Sequence, residues 1–580
     1  MGRKRNIWSV LLLSMVAFAA PALAQESARQ AESHLQVGIR ELKAGNLSAA
    51  KQQLLEAVTQ DPNNPQVYNL LGFISDQTGQ TEQGIRYYQK ALTLHPDFTP
   101  ARNNLAALYL RKGEVDPAIE QFRRSLRSRP NDLTAHYNLG LIYVQKGVYA
   151  KALENLTVAA SMAPNDPAVL FLLAGAYFDN GEKDKAESVV RRLTQLGSKD
   201  PQTLVRVASL LVENRQYEQA AGILEDANTL APHNPGILME LSQVYARLGR
   251  DEEALNAIGQ FVEILKASPN ESSGTVAYLR VAEQILSGVR SQDPLSFRAG
   301  FLLGEVLYLE KHYDAAVEVL QSLSDQAGQN PQYFNLLGMS YAGASHLPEG
   351  AKAVEKAINL APKQAEFYFN LASIFQKAGD NHSAIKILDR GMAQGNRSAP
   401  AFFALGLSYF NLGDYRAALG SFQKSLAAAP SFVQAQFFVG RCYTKLEQPS
   451  EAANAYQRAV AIGPTFYPAY YQLALLELDA GNIQKAVPHL EQVTRLDPGY
   501  PDAHYQLGKI YASQGQLSEA ISQLEKAITL NSGYNSAYYQ LGRLYEKMGN
   551  TAKARAMFQL VRARQKKKLE TYQHKMSEKN

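Results

Sequence analysis

Two short segments, GMSYA and GLSYF, contain the serines that most resemble catalytic nucleophiles in this 580-residue sequence. Ser340 and Ser408 each lie two residues after a glycine. An exposed nucleophile of this type requires a strand, a sharp turn and a helix around the serine. Both serines instead lie in the middle of segments with helical hydrophobic spacing, so we predict that neither is catalytic.

The sequence gives no better support for a phosphate-binding site, a metal site or a reactive thiol. The segment GQTEQGI lacks the lysine and hydroxyl residue of a phosphate-binding loop. The ten histidines are scattered, without metal-ligand spacing to cysteine or carboxylate residues. Cys442 is the single cysteine, and its apolar helical neighbours predict a small buried side chain. The sequence therefore predicts a protein that is not an enzyme, with no catalytic, metal-binding or cofactor-binding residues.

The helical segments that contain these residues recur along the sequence with a period of 34 residues. Similar units begin at residues 31, 65, 99, 133, 167, 201 and 235, and again at 297, 331, 365, 399, 433, 467, 501 and 535. A period of this length over fifteen units indicates an array in which each unit packs on its neighbours.

Six recurring positions give the unit a physical interpretation. Positions 8 and 20 are always Gly, Ala or Ser, which allows two helices to approach closely, and bulky residues at positions 11 and 24 fill the surrounding space. Position 15 is Gly in eleven units, as expected where a helix ends in a left-handed turn. Position 32 is Pro in nine units and ends the second helix. Each unit is predicted to be a pair of helices joined by a tight turn.

The Leu-Gly pair at positions 7 and 8, Tyr at 11, Ala at 20 and 27, a bulky residue at 24 and Pro at 32 resemble the tetratricopeptide repeat family. The resemblance implies an all-α fold, a right-handed superhelical solenoid of about fifteen repeats. It also implies that the first helices line a concave groove that binds a protein or an extended peptide, without catalysis.

In that family, position 5 of the first helix faces the groove. Aromatic residues recur there, and the last six occupy consecutive repeats of the second array. We therefore predict a groove-lining aromatic ladder, with packing between neighbouring first helices as the competing interpretation. The candidate ligand-binding residues are Tyr137, Phe171, Phe301, Phe369, Phe403, Phe437, Tyr471, Tyr505 and Tyr539.

The period fails between residues 266 and 296, where the next unit begins after 62 residues instead of 34. ASPNESSG has the composition of a loop, and TVAYLRVAEQILSGVRS has the pattern of one amphipathic helix. Its predicted apolar face contains Tyr278, Val281, Ala282, Ile285 and Val289. Either a degenerate repeat packs in line, or the segment joins two arrays; we favour a packed, irregular joint.

The N-terminal segment has the features of a secretory signal peptide. Three basic residues precede a short apolar core, and Ala22-Leu23-Ala24 forms a small-x-small cleavage site before Gln25. We predict cleavage between Ala24 and Gln25, export to the periplasm or the extracellular space, and no transmembrane segment in the mature chain.

These boundaries define five regions. They are a signal peptide (1–24), a first array of seven repeats (25–266), an irregular helical joint (267–296), a second array of eight repeats (297–568) and a basic, polar tail (569–580).

The near balance of 59 basic and 54 acidic residues gives no reason to expect a nucleic-acid partner. We predict an exported scaffold for protein–protein or protein–peptide interactions in a bacterial cell envelope, with the oligomeric state open. One alternative is an accessory component of envelope polysaccharide synthesis or export. Another is an O-linked glycosyltransferase, which the lack of a catalytic domain after the repeats disfavours.

Overall fold

The computed structural model describes the backbone of residues 29–268 and 273–577, and side chains as far as Lys566 together with Glu570. All regular secondary structure in these ranges is α-helical. The predicted signal peptide and its cleavage site at Ala24 and Gln25 lie outside the described residues. The chain divides into two compact units, Met1–Ile285 and Leu286–Asn580.

The first unit contains α1 to α14 and the beginning of α15. Helix α1 covers residues 29–43. The following helices are α2 (Leu47–Gln60), α3 (Pro65–Gln77), α4 (Thr81–Leu94), α5 (Thr99–Arg111), α6 (Val115–Ser128), α7 (Leu133–Gln145), α8 (Tyr149–Met162), α9 (Pro167–Asp179), α10 (Lys183–Leu196), α11 (Pro201–Glu213), α12 (Tyr217–Leu230), α13 (Pro235–Arg247), α14 (Asp251–Ala267) and α15 (Ser273–Gln292).

The second unit contains the end of α15 and the helices α16 to α31. These are α16 (Phe297–Leu309), α17 (Tyr313–Gln321), α18 (Pro331–Gly343), α19 (Leu347–Leu360), α20 (Ala365–Lys377), α21 (Asn381–Ala393), α22 (Ala399–Asn411), α23 (Tyr415–Ala428), α24 (Val433–Lys445), α25 (Pro449–Ile462), α26 (Tyr467–Asp479), α27 (Ile483–Leu496), α28 (Pro501–Ser513), α29 (Leu517–Leu530), α30 (Asn535–Lys547) and α31 (Thr551–Ser577).

Each predicted repeat is a pair of consecutive helices, and consecutive helices contact one another from α2 to α14 and from α16 to α31. The close approach depends on position 8. A Cβ atom at Gly440 would lie 2.5 Å from the ring of Tyr456 at position 24, and one at Gly72 would lie 2.6 Å from the ring of Tyr88. Both rings are at most 1% exposed. A small residue on one helix therefore accommodates a large buried residue on the other, as the sequence predicts.

The turn inside each pair is left-handed at position 15 in all fifteen repeats. The eleven glycines there have φ between +68° and +83°. The four other residues at this position, Arg215, Lys311, Ser345 and Glu447, have φ between +57° and +68°. The backbone conformation is thus fixed by the repeat and not by the residue that occupies the position.

The interruption contains one helix, α15, as predicted, but its buried side differs from the predicted apolar face. Leu279, Ala282, Leu286 and Val289 are at most 8% exposed. Val281 and Ile285, which we expected on the buried face, are only half-buried. Leu279 and Leu286, which are absent from the predicted face, are the two largest of these buried side chains. The buried side is therefore displaced around the helix by one residue from the predicted face.

Helix α17 is shorter than the other second helices, with nine residues against fourteen in α19. Position 4 of this repeat is Gly300, where most repeats have a larger residue. Leu323, two residues after the end of α17, is fully buried against it, and a Cβ atom at Gly300 would lie 2.8 Å from the Leu323 methyl carbons. Leu323 thus fills the space that the missing side chain leaves.

Candidate binding surface on the first helices

The nine aromatic residues predicted to bind ligand differ widely in exposure. Phe369 and Tyr539 are 39% and 49% exposed, whereas Phe437 is 9% exposed. The other six are half-buried: Tyr137, Phe171, Phe301, Phe403, Tyr471 and Tyr505. The ladder is therefore regular in sequence but uneven as a surface.

A second aromatic series, at position 34, accounts for the burial of four of these rings. Position 34 is the residue that precedes the next first helix, and sequence reasoning did not single it out. The ring-centroid distances are 4.9 Å for Phe403 and Phe432, 5.4 Å for Phe437 and Phe466, 5.0 Å for Tyr471 and Tyr500, and 4.9 Å for Tyr505 and Tyr534. The signal in the sequence is an aromatic residue 29 positions after each of these rings.

Phe369 and Tyr539 are exposed because they have a different environment. Position 34 of the repeat that contains Phe369 is Ser398, whose hydroxyl caps the next helix. Tyr539 lies in the last repeat and contacts Phe558, at 5.7 Å, on the helix that follows. These two rings thus retain free faces that a ligand can cover.

The position-34 rings replace helix caps. Asp166, Asp200 and Asn234 occupy this position in the first unit, and each accepts a backbone hydrogen bond from the helix that it precedes. Phe466 and Tyr500 make no such bond. A good cap contributes about 1 kcal/mol, whereas burying a large aromatic ring contributes about 2 kcal/mol or more. The junctions of the last repeats therefore favour ring packing over capping.

Polar side chains occupy position 5 in other repeats and pair in the same way. Asn103 donates hydrogen bonds to both oxygens of Asp132, at position 34, at 3.0 Å. The position-5 side chain can also contact the residue at position 6 of the next repeat. Asn104 donates to the Asn69 side-chain oxygen at 2.9 Å. The guanidinium of Arg206 lies 4.4 Å from the centre of the Phe171 ring.

Asn370 and Asn335 repeat the amide pair in the second unit, at 2.9 Å. Most position-5 side chains described here thus contact a residue 29 or 35 positions further along the chain. Their exposed fraction depends on what those two positions contain.

A carboxylate, Asp502, lies among the tyrosines of the last repeats. It accepts a hydrogen bond from the Tyr534 hydroxyl. Burial, followed by the charge of Asp502, raises the pKa of Tyr471 to about 12. Burial and then the neighbouring Tyr471 and Asp502 raise the pKa of Tyr500 to about 12. These phenols therefore stay protonated at neutral pH and act as neutral donors.

The side chain at position 4 links neighbouring repeats through hydrogen bonds. The two ring nitrogens of His504 lie 2.6 Å from the Gln523 side-chain oxygen and 3.1 Å from the carbonyl oxygen of Pro498. His136 contacts Asn155 and the Pro130 carbonyl in the same way. Each ring joins position 23 of its own repeat to the proline that ends the preceding one.

The structure gives the candidate nucleophiles structural roles. Ser340 and Ser408 are fully buried and donate hydrogen bonds to carbonyl oxygens of their own helices, those of Leu336 and Ala404. Cys442 is fully buried, as predicted, and burial raises the pKa of its thiol to about 12.

In residues 29–268 and 273–577, no group of three or more His, Cys, Asp or Glu side chains is arranged to hold a metal ion. Within the same described ranges, no helix combines the length and the apolar character that a membrane span requires.

Family models named tetratricopeptide repeat match residues 335–399, 403–465 and 471–535, and a second model of that name matches 279–339 and 512–577. Residues 15–268 match a model described as the C-terminal domain of cilia and flagella-associated protein 70. The repeat models together cover nearly all of residues 279–577, where the structure shows the helix pairs.

One curated relative is the "Probable biofilm formation methyltransferase WspC" of Pseudomonas putida. It is 38% identical over 79 residues, which are 13% of this chain and 19% of that protein. The chain thus matches about a fifth of the length of this relative.

Several solved structures align with parts of the chain. The APC/C hetero-tetramer Cut9-Hcn1 is 14% identical, covering 83% of this chain and 96% of that chain, with a TM-score of 0.34. MamA is 29% identical over 29% of this chain and 97% of its own, with a TM-score of 0.27. YrrB, described as a TPR protein with an unusual peptide-binding site, is 28% identical over 32% of this chain and 96% of its own, also with a TM-score of 0.27.

The three matches of the first repeat model begin at residues 335, 403 and 471, at intervals of 68 residues, which are two of the 34-residue periods that the helix pairs follow. The chain belongs to the tetratricopeptide repeat family.

Proposed function

We propose that this chain is an exported, non-enzymatic scaffold that holds an extended segment of a partner protein along the first helices of its second compact unit. Repeats of this family form protein-interaction surfaces, and a stack of helix pairs offers a long surface with few specialised residues. The observation that carries the proposal is the exposure of Phe369 and Tyr539, since the other position-5 rings of the second unit are buried or half-buried.

Contacts between first helices support the choice of surface. Helices α16, α18, α20 and α22 contact one another in order along the second unit, and α28 contacts α30. In a curved stack, helices on the inner side approach each other more closely than those on the outer side. These contacts therefore favour the first helices as the inner, ligand-facing side.

The ring pairs determine which residues a partner can reach. Phe403 and Phe437 are largely occupied by contacts with Phe432 and Phe466, so they position the surface more than they contact ligand. Exposed aromatic anchors of the kind found at Phe369 and Tyr539 each contribute about 2 kcal/mol or more to protein interfaces.

A double variant, Phe369→Ser with Tyr539→Ser, tests this assignment. The partner is first captured by crosslinking in the native cell envelope and identified, and its affinity is then measured. We expect the double variant to bind the partner at least 10-fold more weakly, with a nearly unchanged melting temperature, because both rings are exposed.

Phe437→Leu is the matched control, because it alters a buried ring of the same ladder. It should lower the melting temperature and leave the affinity of the folded protein unchanged. If the double variant binds as well as the unmodified protein, the position-5 surface is not the binding site.

Export is the second part of the proposal and depends on the sequence of residues 1–24. N-terminal sequencing of the protein isolated from its native host should give Gln25 as the first residue. A membrane-bound chain that retains Met1 would contradict export with cleavage.

An envelope polysaccharide is the second candidate ligand, and the tyrosines of the last repeats favour it. Tyr471, Tyr505 and Tyr539 are partly exposed phenols, and Gln506 contacts Tyr471. Flat rings beside amides suit sugar faces. If isolated envelope polysaccharide competes with the captured protein for the unmodified chain and fails to bind the double variant, the chain serves polysaccharide synthesis or export.

A further inference from the structure

A cavity of about 300 Å³ lies in the first compact unit, at the beginnings of α11 and α13, and is bordered by the first turns of α15. Its volume is at the lower end of that of small-molecule pockets. Apolar and charged side chains share its wall. The residues that matter for its chemistry are Val205, Arg206, Gly236, Ile237, Glu240 and Tyr278.

Glu240 is the unusual member of this set, because no hydrogen bond or ion pair to its carboxylate is present among the described residues. It occupies position 6 of its repeat. At four other junctions a polar residue at position 6 has a partner at position 5 of the preceding repeat: Asn104 with Asn69, Arg206 with Phe171, Asn370 with Asn335, and Gln506 with Tyr471. Glu240 instead faces Val205, which offers no polar atom.

The carboxylate is also partly removed from water. Burial raises the pKa of Glu240, and no nearby positive charge opposes this shift. An ionised carboxylate that is partly buried without a partner destabilises the folded protein. A cation from outside the chain would relieve this penalty.

Arg206 lines the same cavity but does not neutralise Glu240. Its guanidinium lies over the Phe171 ring at 4.4 Å from the centroid, where the ring faces the cation favourably. No ion pair within 4.0 Å joins it to Glu240. The Arg206 guanidinium thus contacts the preceding repeat, and Glu240 has no paired cation among the described residues.

Helix α15 supplies the remaining wall through Tyr278. The ring packs edge-on against Phe261 of α14, with centroids 6.2 Å apart and an interplanar angle of 89°. Its hydroxyl lies so near Gly236 that a Cβ atom there would be 3.0 Å from it. The irregular helix therefore places an aromatic ring beside Glu240, at the end of the first array.

We propose that this cavity binds one basic side chain, a lysine or an arginine presented by a partner protein, with its charge at Glu240. The aliphatic stem then lies along Val205 and Ile237, and the Tyr278 ring adds an aromatic contact to the cation. The site lies in the other compact unit from Phe369 and Tyr539 and does not depend on the function proposed above.

The site can be tested on the full chain with small probes by methyl NMR. Isoleucine methyl groups are labelled, and the Ile237 signal is assigned through Ile237→Val. The probes are the N-acetyl amides of lysine, arginine and norleucine, the last of which has an apolar side chain without charge. We expect the two basic probes to shift the Ile237 signal saturably, and norleucine to bind at least 10-fold more weakly.

Three variants locate the charge. Glu240→Gln should weaken binding of the basic probes at least 10-fold, whereas Glu213→Gln, which changes an exposed carboxylate on α11, should leave it unchanged. Val205→Asn places an amide at position 5, where Asn69 lies opposite Asn104. This amide can donate a hydrogen bond to Glu240, so the variant should also weaken binding. Melting temperatures establish that each variant is folded.

The relative shifts from the lysine and arginine probes determine which side chain the site prefers. The proposal is overturned if norleucine binds as tightly as lysine, or if Glu240→Gln retains the unmodified affinity. It is also overturned if neither basic probe shifts Ile237 at about 20 mM, a concentration that detects millimolar affinity.

Discussion

The nine aromatic residues at position 5 share a place in the repeat but range in exposed fraction from 9% at Phe437 to 49% at Tyr539. Four of the rings have an aromatic partner at position 34, as Phe437 has Phe466, whereas Phe369 has Ser398 at that position. A ring with an aromatic partner at position 34 contributes to stability, and Phe369, which lacks one, is available to a ligand. The environment of the charged Glu240 likewise depends on a neighbouring repeat, because Val205 has no polar atom that could pair with the carboxylate.

The environment of Cys442 predicts an unreactive thiol. Its side chain is fully buried, and burial raises the pKa of the thiol to about 12, so almost no thiolate forms at pH 8. We expect a thiol-specific reagent to label the folded protein far more slowly than the protein unfolded in guanidinium. Labelling at similar rates in both states would show that Cys442 is accessible.

At the scale of single elements, the turn of each helix pair imposes its conformation on any residue. Glu447 has φ of +58° after α24, and its backbone N–H donates to the Thr444 carbonyl oxygen at 3.2 Å. The next residue, Gln448, donates to the Tyr443 carbonyl oxygen at 2.9 Å. This hydrogen-bond pattern is a Schellman motif, which glycine fits best.

Replacing Glu447 by glycine should therefore stabilise the protein. A side chain in the left-handed conformation costs about 1 kcal/mol, which Glu447→Gly would remove. The reverse change, Gly413→Ala at the same repeat position, should destabilise by a similar amount. Urea unfolding of the two variants measures both effects, and a decrease in stability for Glu447→Gly would contradict the assignment of strain.

Helix α15 is an element that the repeat pattern does not contain. Its first part belongs to the first compact unit, where Tyr278 packs on Phe261 and Leu279 and Ala282 are buried. In the second unit, the Arg290 guanidinium donates to the Ser322 hydroxyl at 3.0 Å. Each unit therefore uses its own part of the helix.

Fragments test whether α15 is needed for the first array to fold well. We predict that the arrays are separable, so that a fragment of residues 25–267 and one beginning at residue 294 each fold and give helical circular dichroism. Extending the first fragment to residue 292 should raise its stability by about 2 kcal/mol or more, because Tyr278 and Leu279 regain buried surface. An unfolded shorter fragment would instead identify α15 as an integral part of the core.

At the scale of the whole molecule, the same packing repeats in both units, and its response to alkaline pH should be shared. Burial raises the pKa of Tyr245 in the first unit and of Tyr456, Tyr471 and Tyr500 in the second, each to about 12. An unfolded chain titrates its tyrosines near pH 10. Between pH 10 and pH 12 the folded state thus binds more protons than the unfolded state.

The contribution of these tyrosines to stability should therefore be constant below pH 9 and fall as the pH rises through this window. The urea midpoint as a function of pH measures the loss, and absorbance at 295 nm follows the phenolates. Tyrosines that ionise near pH 10 without loss of helical structure would contradict the burial of these rings. Phe in place of Tyr471 should reduce the pH dependence.

The sequence by itself determined the helix pairs, their turns and the family, because these features depend on small, bulky and turn residues that recur every 34 positions. It also determined that α15 is a single helix and that Cys442 is buried. These properties depend on residues close together in the sequence, and the pattern of the helix pairs and turns recurs in fifteen repeats. Export and the binding role of the aromatic ladder remain predictions from the same sequence.

Only the tertiary structure decided which rings of the ladder are exposed, which side of α15 is buried and that Glu240 lacks a partner. The physical reason is that each outcome depends on side chains 29 or 35 positions away, or on a helix outside the repeat. The sequence shows which residue occupies position 5 or 6. Whether that side chain has a contacting partner is known only when the helices are packed.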